Sequence, residues 1–283
     1  FWLKAQSPGV FVHRAPHFAM ETVTVLHTFR TSPHVCNLSP FALKVETFLR
    51  ASKIPYKVAF DNKFSPKGQI PWVEIGSERV CDSNVIIPRL KEFYGVDIDG
   101  ALSCEQKSMA HATVRMLEEH TAQIGFYYRY SLHMKELYEA LDIPNRLFRA
   151  DQSCAGSCVA FLWGRGQPGN TRKKLKYRGL GRHTDEELWK FSNDDLQAIS
   201  DYLGRKRYFT GDRISSADCA IFGHVAQFLY IPLDFPQKKY LTERCPNVVA
   251  LLERIKKDLW PDWESLCMGQ VPTLEHQAST LSV

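Results

Sequence analysis

The hydrophobic positions change period along this chain. Val23–Phe29 and Tyr56–Phe60 are short, β-branched or aromatic runs, and both read as strands. Between them Phe41, Val45, Phe48 and Leu49 recur at helical spacing, with Lys44, Glu46 and Arg50 at the remaining positions. Ser39 and Pro40 supply the cap and first residue of that helix, which stops before Pro55. Strand, helix and strand in this order form a parallel βαβ unit. Trp72–Ile75 and Arg79–Cys81 then flank Gly76-Ser77, a two-residue hairpin linker. Pro71 stands at the entry to the first hairpin strand, where it costs no central ladder bond. Asp82-Ser83 precedes a helical run of Val85, Ile86, Ile87 and Leu90.

From Ala101 onward only the helical period recurs. Ala101–Tyr138 carries it through Met109, Val114, Met116, Leu117, His120 and Ile124, and Asn145–Trp163 is a second helix candidate. Thr184 and the three acids after it cap a helix through Leu188, Phe191, Leu196, Ile199 and Leu203. Ser215-x-x-Asp218 is a capping box ahead of Cys219, Ile221, Phe222, Val225 and Phe228, and Pro246 opens the last expected helix. The pattern predicts an α/β domain over residues 21–98 and an all-α domain over 101–263. Residues 1–20 are expected to be a poorly ordered extension and 264–283 a disordered tail.

Composition narrows this little. A hydrophobic content of 44% and charged content of 24% are those of a globular protein, and the net charge of +5 is mild. No uninterrupted apolar run approaches the length of a membrane span. The eight cysteines include no Cys-x-x-Cys and no histidine pair at ligand spacing, so no metal site is expected. Cys154 and Cys158 are expected to be buried thiols, and free thiols in this number fit a reducing, cytoplasmic setting. The positive charge is local: Arg165, Arg172, Lys173, Lys174, Lys176, Arg178 and Arg182 occur without an acid between residues 164 and 182. Gly, Pro and Asn in its first part predict a basic loop inserted between helices. Such a loop suits an acidic protein partner or peripheral contact with an anionic membrane surface. Tyr177 is its one aromatic residue, so nucleic acid is not an expected partner.

The Asp82-Ser83 pair gives the sharpest chemical signal. At a helix start it caps the first-turn N–H groups and leaves a positive helix end that suits a small carboxylate. A proline before a strand, a hairpin and then Asp-Ser opening a helix resembles the glutathione half-site of thioredoxin-fold transferases. The resemblance implies that Pro71 is cis, that Ile70 and Trp72 present backbone groups to glutathione, and that Asp82 and Ser83 hold its γ-glutamyl end. Tyr208–Asp218, with Gly211-Asp212 ahead of the capping box, matches the fold-nucleating motif of the transferase helical domain. There Ser215 and Asp218 have a structural role. The implied fold is a thioredoxin-like N-terminal domain followed by a helical glutathione-transferase C-terminal domain.

A finer set of matches, in order, resembles the failed axon connections family, relatives of metaxins and of nematode cadmium-responsive proteins. It comprises Asn37–Arg50, Lys67–Pro71, Asp82-Ser83 with Ile86-Ile87, Met116–His120, Gly179–Thr184 and Trp260–Trp263. That family implies an intracellular, axon-development protein with a binding or adaptor role and weak or no transferase activity. The alternative is an active glutathione S-transferase acting in detoxification or stress response, with Ser39 as the catalytic residue. Ser39-Pro40-Phe41 resembles Cys-Pro-Phe of omega-class transferases with Ser in the Cys place, which allows a hydrogen bond to a thiolate but no mixed disulfide. Ser39 equally satisfies a cap role alone, and Cys36 is expected to be a spectator. In the transferase reading Met116, His120, Tyr127 and Tyr128 would face the thiolate. The interval Asp61–Ile70 is shorter than in transferases, leaving Lys63, Lys67 and Gln69 to compensate. The implied ligand is glutathione or a similar small molecule, and homodimers are common among such relatives.

Overall fold

Four short strands form one sheet in the order β2-β1-β3-β4. β1 (Thr24–His27) runs parallel to β2 (Tyr56–Ala59), connected through α1 (Pro40–Ala51); β3 (Trp72–Ile75) runs antiparallel to β1 and turns through Gly76 into β4 (Glu78–Cys81). Gly76 has φ +59°, the left-handed conformation that a two-residue hairpin turn requires. α2 (Ser83–Tyr94) follows directly and ends at Gly95 in the left-handed conformation. The computed structural model describes residues 22–149 and 151–270, so the expected N-terminal extension and residues 271–283 of the expected tail lie outside it. Leu26, Val45, Phe48, Leu49, Val73, Ile86 and Leu90 form the core of this α/β unit.

The helical unit begins with α3 (Cys104–Met116), capped by a Ser103/Gln106 box. The long amphipathic segment then passes through a π-helical turn (Leu117–Thr121), α4 (Ala122–Tyr127), a second π-helical turn (Tyr128–Leu132) and α5 (Met134–Ala140). Next come α6 (Ile143–Phe148), α7 (Cys154–Tyr177), a 3-10 turn (Leu180–Arg182) and α8 (Asp185–Leu203). α9 (Ser216–Leu229), α10 (Pro236–Arg244), α11 (Pro246–Leu259) and α12 (Trp263–Cys267) complete it. α9 is buried along almost its whole length. Asp218 starts it, accepting from the Phe209 and Ser215 N–H groups at 2.7 and 2.9 Å and from the Ser215 hydroxyl at 2.6 Å.

Three expectations are corrected. The basic stretch is not a loop: α7 runs straight through residues 164–177, Pro168 included. Tertiary packing outweighs the local glycine and proline preferences. Leu175 packs with Ile124, Leu180 and Leu188, Trp163 stacks on Tyr138, and a Cβ on Gly164 would lie 3.0 Å from the Tyr138 hydroxyl. Cys154 and Cys158 are exposed, because the α7 face that faces inward carries Gly156 and Ala160 instead. The expected tail begins as α12, where Leu266 and Cys267 are buried; Cys267 Sγ lies 3.8 Å from Cys36 Sγ.

The two units meet where α1 crosses α9. A Cβ on Gly223 would lie 2.6 Å from the Pro40 carbonyl oxygen and 2.7 Å from the Lys44 nitrogen, so the absence of a side chain there lets the helices touch backbone to backbone. This crossing fixes the start of α1 over the helical unit, and the candidate site lies beside it.

Candidate functional site

Ser39, Ile70, Pro71, Asp82 and Ser83 line one cavity of about 700 Å³ between the two units. They converge because three chain turns lie at the same end of the sheet: the N-terminus of α1, the approach to β3 and the start of α2. The Ile70–Pro71 peptide is cis. Asp82 has φ +80°, unusual for a residue with a side chain, and its Oδ1 accepts from the Asn84 N–H at 2.9 Å. Its carboxylate therefore caps α2 while standing in the cavity wall. Trp72 does not join them. Its indole is buried away from the cavity, stacked on His27 at 3.6 Å and donating to the Lys63 carbonyl, because alternate residues of β3 face opposite sides of the sheet.

Ser39 is engaged as a cap. Its Oγ accepts from the Ala42 N–H at 3.2 Å, and its hydroxyl points to the Ile70 carbonyl at 3.5 Å. The Asn37 side chain accepts from the Ser39 N–H at 3.0 Å. Gln69 reaches the cavity, whereas Lys63 and Lys67 do not. Cys36 is buried, and burial together with the Cys267 thiol pushes its own thiol well up, so it offers no thiolate.

From the helical unit the lining is not the face expected. Met116, His120, Tyr127 and Tyr128 are absent from it: His120 Nδ1 pairs with Asp195 at 2.7 Å, the Tyr127 hydroxyl donates to Asp185 at 3.0 Å and that of Tyr128 to the Asp234 carbonyl at 2.8 Å. The cavity instead takes Glu118, Gln123, Phe126, Arg129 and Tyr130. The most apolar face of this helix is consumed by the core of its own unit, and the mixed face is left for the cavity. α7 closes the remaining side with Gln167, Thr171, Lys174, Leu175, Tyr177 and its C-cap Arg178, so part of the basic stretch is cavity wall.

Sequence reasoning missed the buried charges beneath this wall. Lys44, on α1, donates to Glu118 at 2.6 Å, Asn84 at 2.9 Å and Ser83 at 3.4 Å; both members of the ion pair are almost inaccessible. Burial pushes the Glu118 carboxyl up, but the Lys44 ammonium and His224 outweigh it and hold it below the usual range. Burial lowers Lys44, and Glu118 offsets only part of that. The pair thus links α1, the α2 start and the first π-helical turn in one polar seam. A π-helical turn widens the backbone, and here each of the two carries one inward charge, Glu118 and Arg129. A lysine and a glutamate 74 residues apart give no sequence signal of pairing.

Two family models match: the glutathione S-transferase N-terminal domain over residues 40–136 and the glutathione S-transferase C-terminal domain over 192–255. Failed axon connections of Drosophila melanogaster is 35% identical over 87% of this chain, which spans 60% of that relative's length. The isoprene-epoxide–glutathione S-transferase of Rhodococcus sp. (strain AD45) is 27% identical, covering 78% of this chain and 92% of its own. Metaxin-2 of Mus musculus is 22% identical over 86% of this chain and 90% of its own. Among solved structures, a beta-etherase from Sphingobium sp. strain SYK-6 shares the fold with a TM-score of 0.54 at 16% identity, over 86% of this chain and 98% of that one. The chain belongs to the glutathione S-transferase-like family that contains Failed axon connections and is related to the metaxins.

Proposed function

We propose that the interdomain cavity binds glutathione or a close γ-glutamyl analogue, and that the protein acts by binding, as an adaptor in axon development, with weak or no transferase turnover. The observation that carries this reading is the convergence of Ser39, Ile70, Pro71, Asp82 and Ser83 on one cavity. Asp82 would take the amino group of the γ-glutamyl end, Ser83 and the α2 N-terminus its carboxylate, and the backbone beside Pro71 the cysteinyl peptide. Low turnover follows from Ser39. Its Oγ is engaged as the helix cap and its hydroxyl points to the Ile70 carbonyl, so Ser39 holds no donor free for a thiolate. The exposed face of α7, with Arg165, Arg172, Lys173 and Lys176, would meet an acidic partner protein or an anionic membrane surface. Among the described residues no helix is long and apolar enough to cross a membrane.

Calorimetric titration with glutathione tests the ligand. Binding weakened about tenfold by Asp82→Ala is expected, and absence of any heat in wild type would remove the reading. Turnover of an aromatic or epoxide electrophile tests the chemistry. Measurable rates abolished by Ser39→Ala would replace the adaptor reading with that of an active transferase, the activity named in the Rhodococcus relative.

A further inference from the structure

α7 exposes apolar and basic side chains along one line. Cys158, Leu162, Arg165, Gly169, Arg172 and Lys176 follow one another at intervals of three or four residues, and all of them are exposed. The line is apolar in the first half of the helix and cationic in the second. Phe161 and Leu162 are 62% and 67% exposed, and Val159 beside them is 51% exposed. Single exposed apolar side chains are ordinary, but three within one helical turn make a patch. The core does not use it, because the inward face of α7 is made by Gly156, Ala160, Thr171 and Leu175.

The cations that follow the patch have no acid to answer them. No Asp or Glu occurs between Cys154 and Arg178. Arg178 pairs with Glu119, whereas Arg165, Arg172, Lys173 and Lys176 meet no carboxylate within ion-pair distance among the described residues. The Arg165 guanidinium lies 5.6 Å from the Phe161 ring centre and the Lys173 ammonium 5.8 Å from that of Tyr177, so apolar and cationic groups form one continuous surface. A protein partner offers both signs of charge and must supply a shaped seat for each protruding ring. An anionic bilayer offers one sign of charge over a hydrocarbon layer that accepts any shape, and a face of cations and apolar groups without an acid matches it. We infer that α7 docks on an anionic lipid surface, with Phe161 and Leu162 entering the acyl boundary and Arg165, Arg172, Lys173 and Lys176 resting on headgroup phosphates. This rests on the reading of the exposed α7 face given above and commits it to the membrane; it does not need glutathione to be bound.

Sedimentation of the full chain with lipid vesicles tests the docking. Wild type is expected to bind phosphatidylcholine vesicles containing about 30 mol% phosphatidylserine at least about tenfold more tightly than pure phosphatidylcholine vesicles. Phe161→Gln with Leu162→Gln is expected to weaken binding about tenfold, through lost insertion. Lys173→Ala with Lys176→Ala is expected to weaken it about thirtyfold and to reduce its salt dependence. The native thiols give a readout that needs no substitution: Cys154 and Cys158 are exposed on the same helix, and anionic vesicles are expected to slow their reaction with a water-soluble maleimide about fivefold. No binding to anionic vesicles, equal binding to both kinds, full binding by the Phe161→Gln, Leu162→Gln variant, or thiols left unprotected each overturns the inference. Binding to poly-L-glutamate without binding to vesicles would assign the face to an acidic protein and leave the reading of a basic docking face standing. Failure with both would remove that reading as well.

Discussion

Arg50 grips Asp262 with both prongs of its guanidinium, Nη1 to Oδ1 at 2.6 Å and Nη2 to Oδ2 at 2.9 Å, and so ties the end of α1 to the turn before α12. The same side chain lies 3.9 Å from the Trp260 ring centre and donates to the Leu259 carbonyl at 3.0 Å. Planar geometry and stacking are properties of arginine that lysine lacks. Arg50→Lys is expected to lower stability by about 2 kcal/mol and Asp262→Asn by about 3 kcal/mol. Denaturant unfolding measures both, and a midpoint unchanged in Arg50→Lys would show that the two-pronged contact adds nothing.

Breaking the Lys44–Glu118 pair leaves a charge without compensation in the polar seam. Glu118→Gln is expected to cost about 3 kcal/mol, whereas Lys44→Met with Glu118→Leu should recover most of the loss. Thermal unfolding of both variants checks this; a double variant no better than the single would mean that the hydrogen bonds to Ser83 and Asn84, not the charge, carry the cost.

Gly223 sits where α1 and α9 touch. A methyl group there meets backbone atoms that cannot swing aside, so Gly223→Ala is expected to destabilise by about 2 kcal/mol despite the higher helix propensity of alanine. A rise in melting temperature would show that the crossing can open freely.

His224 is fully buried, with Nδ1 donating to the Ala220 carbonyl at 2.9 Å, Phe41 edge-on at 5.1 Å, and Glu118, Lys44 and Arg129 around it. Burial lowers its pKa from 6.5 to about 4, so between these values the unfolded chain binds a proton that the folded one does not. Its contribution is complete above pH 6.5 and lost as pH falls towards about 4. Stability is expected to fall by about 2 kcal/mol between pH 7.5 and 5 through this group. His224→Gln should flatten that part of the curve, and parallel wild-type and variant curves would exclude the group.

Asp82 combines a cap with a left-handed backbone, and glycine separates the two. Asp82→Gly supplies φ +80° without strain, so the lost cap is largely offset and stability should stay within about 1 kcal/mol of wild type. γ-Glutamyl affinity should still fall about tenfold. Equal losses in binding and stability would reduce Asp82 to a structural cap.

Much of this was legible along the chain because it depends on local chemistry. The Ser39-Pro40 start, the Gly76-Ser77 turn and the Ser215/Asp218 box each set their element through backbone geometry and hydrogen bonds within a few residues, and the β-branched runs mark strands through local propensity. Resemblance to known motifs then pointed to Pro71, Asp82 and Ser83. Where the sequence misled, a distant partner intervened: α7 stays helical through Pro168 because Leu175 and Trp163 find apolar neighbours.

What the sequence alone determined is the order of elements and the positions of their caps, since propensity, periodicity and capping act over one or two turns. Only the tertiary structure decided which face of the α3–α5 segment meets the cavity. It also decided that Lys44 finds Glu118 while, among the described residues, Arg129 finds no carboxylate. Charges far apart in the chain are paired or left single by how helices cross, and that geometry is a property of the packed whole.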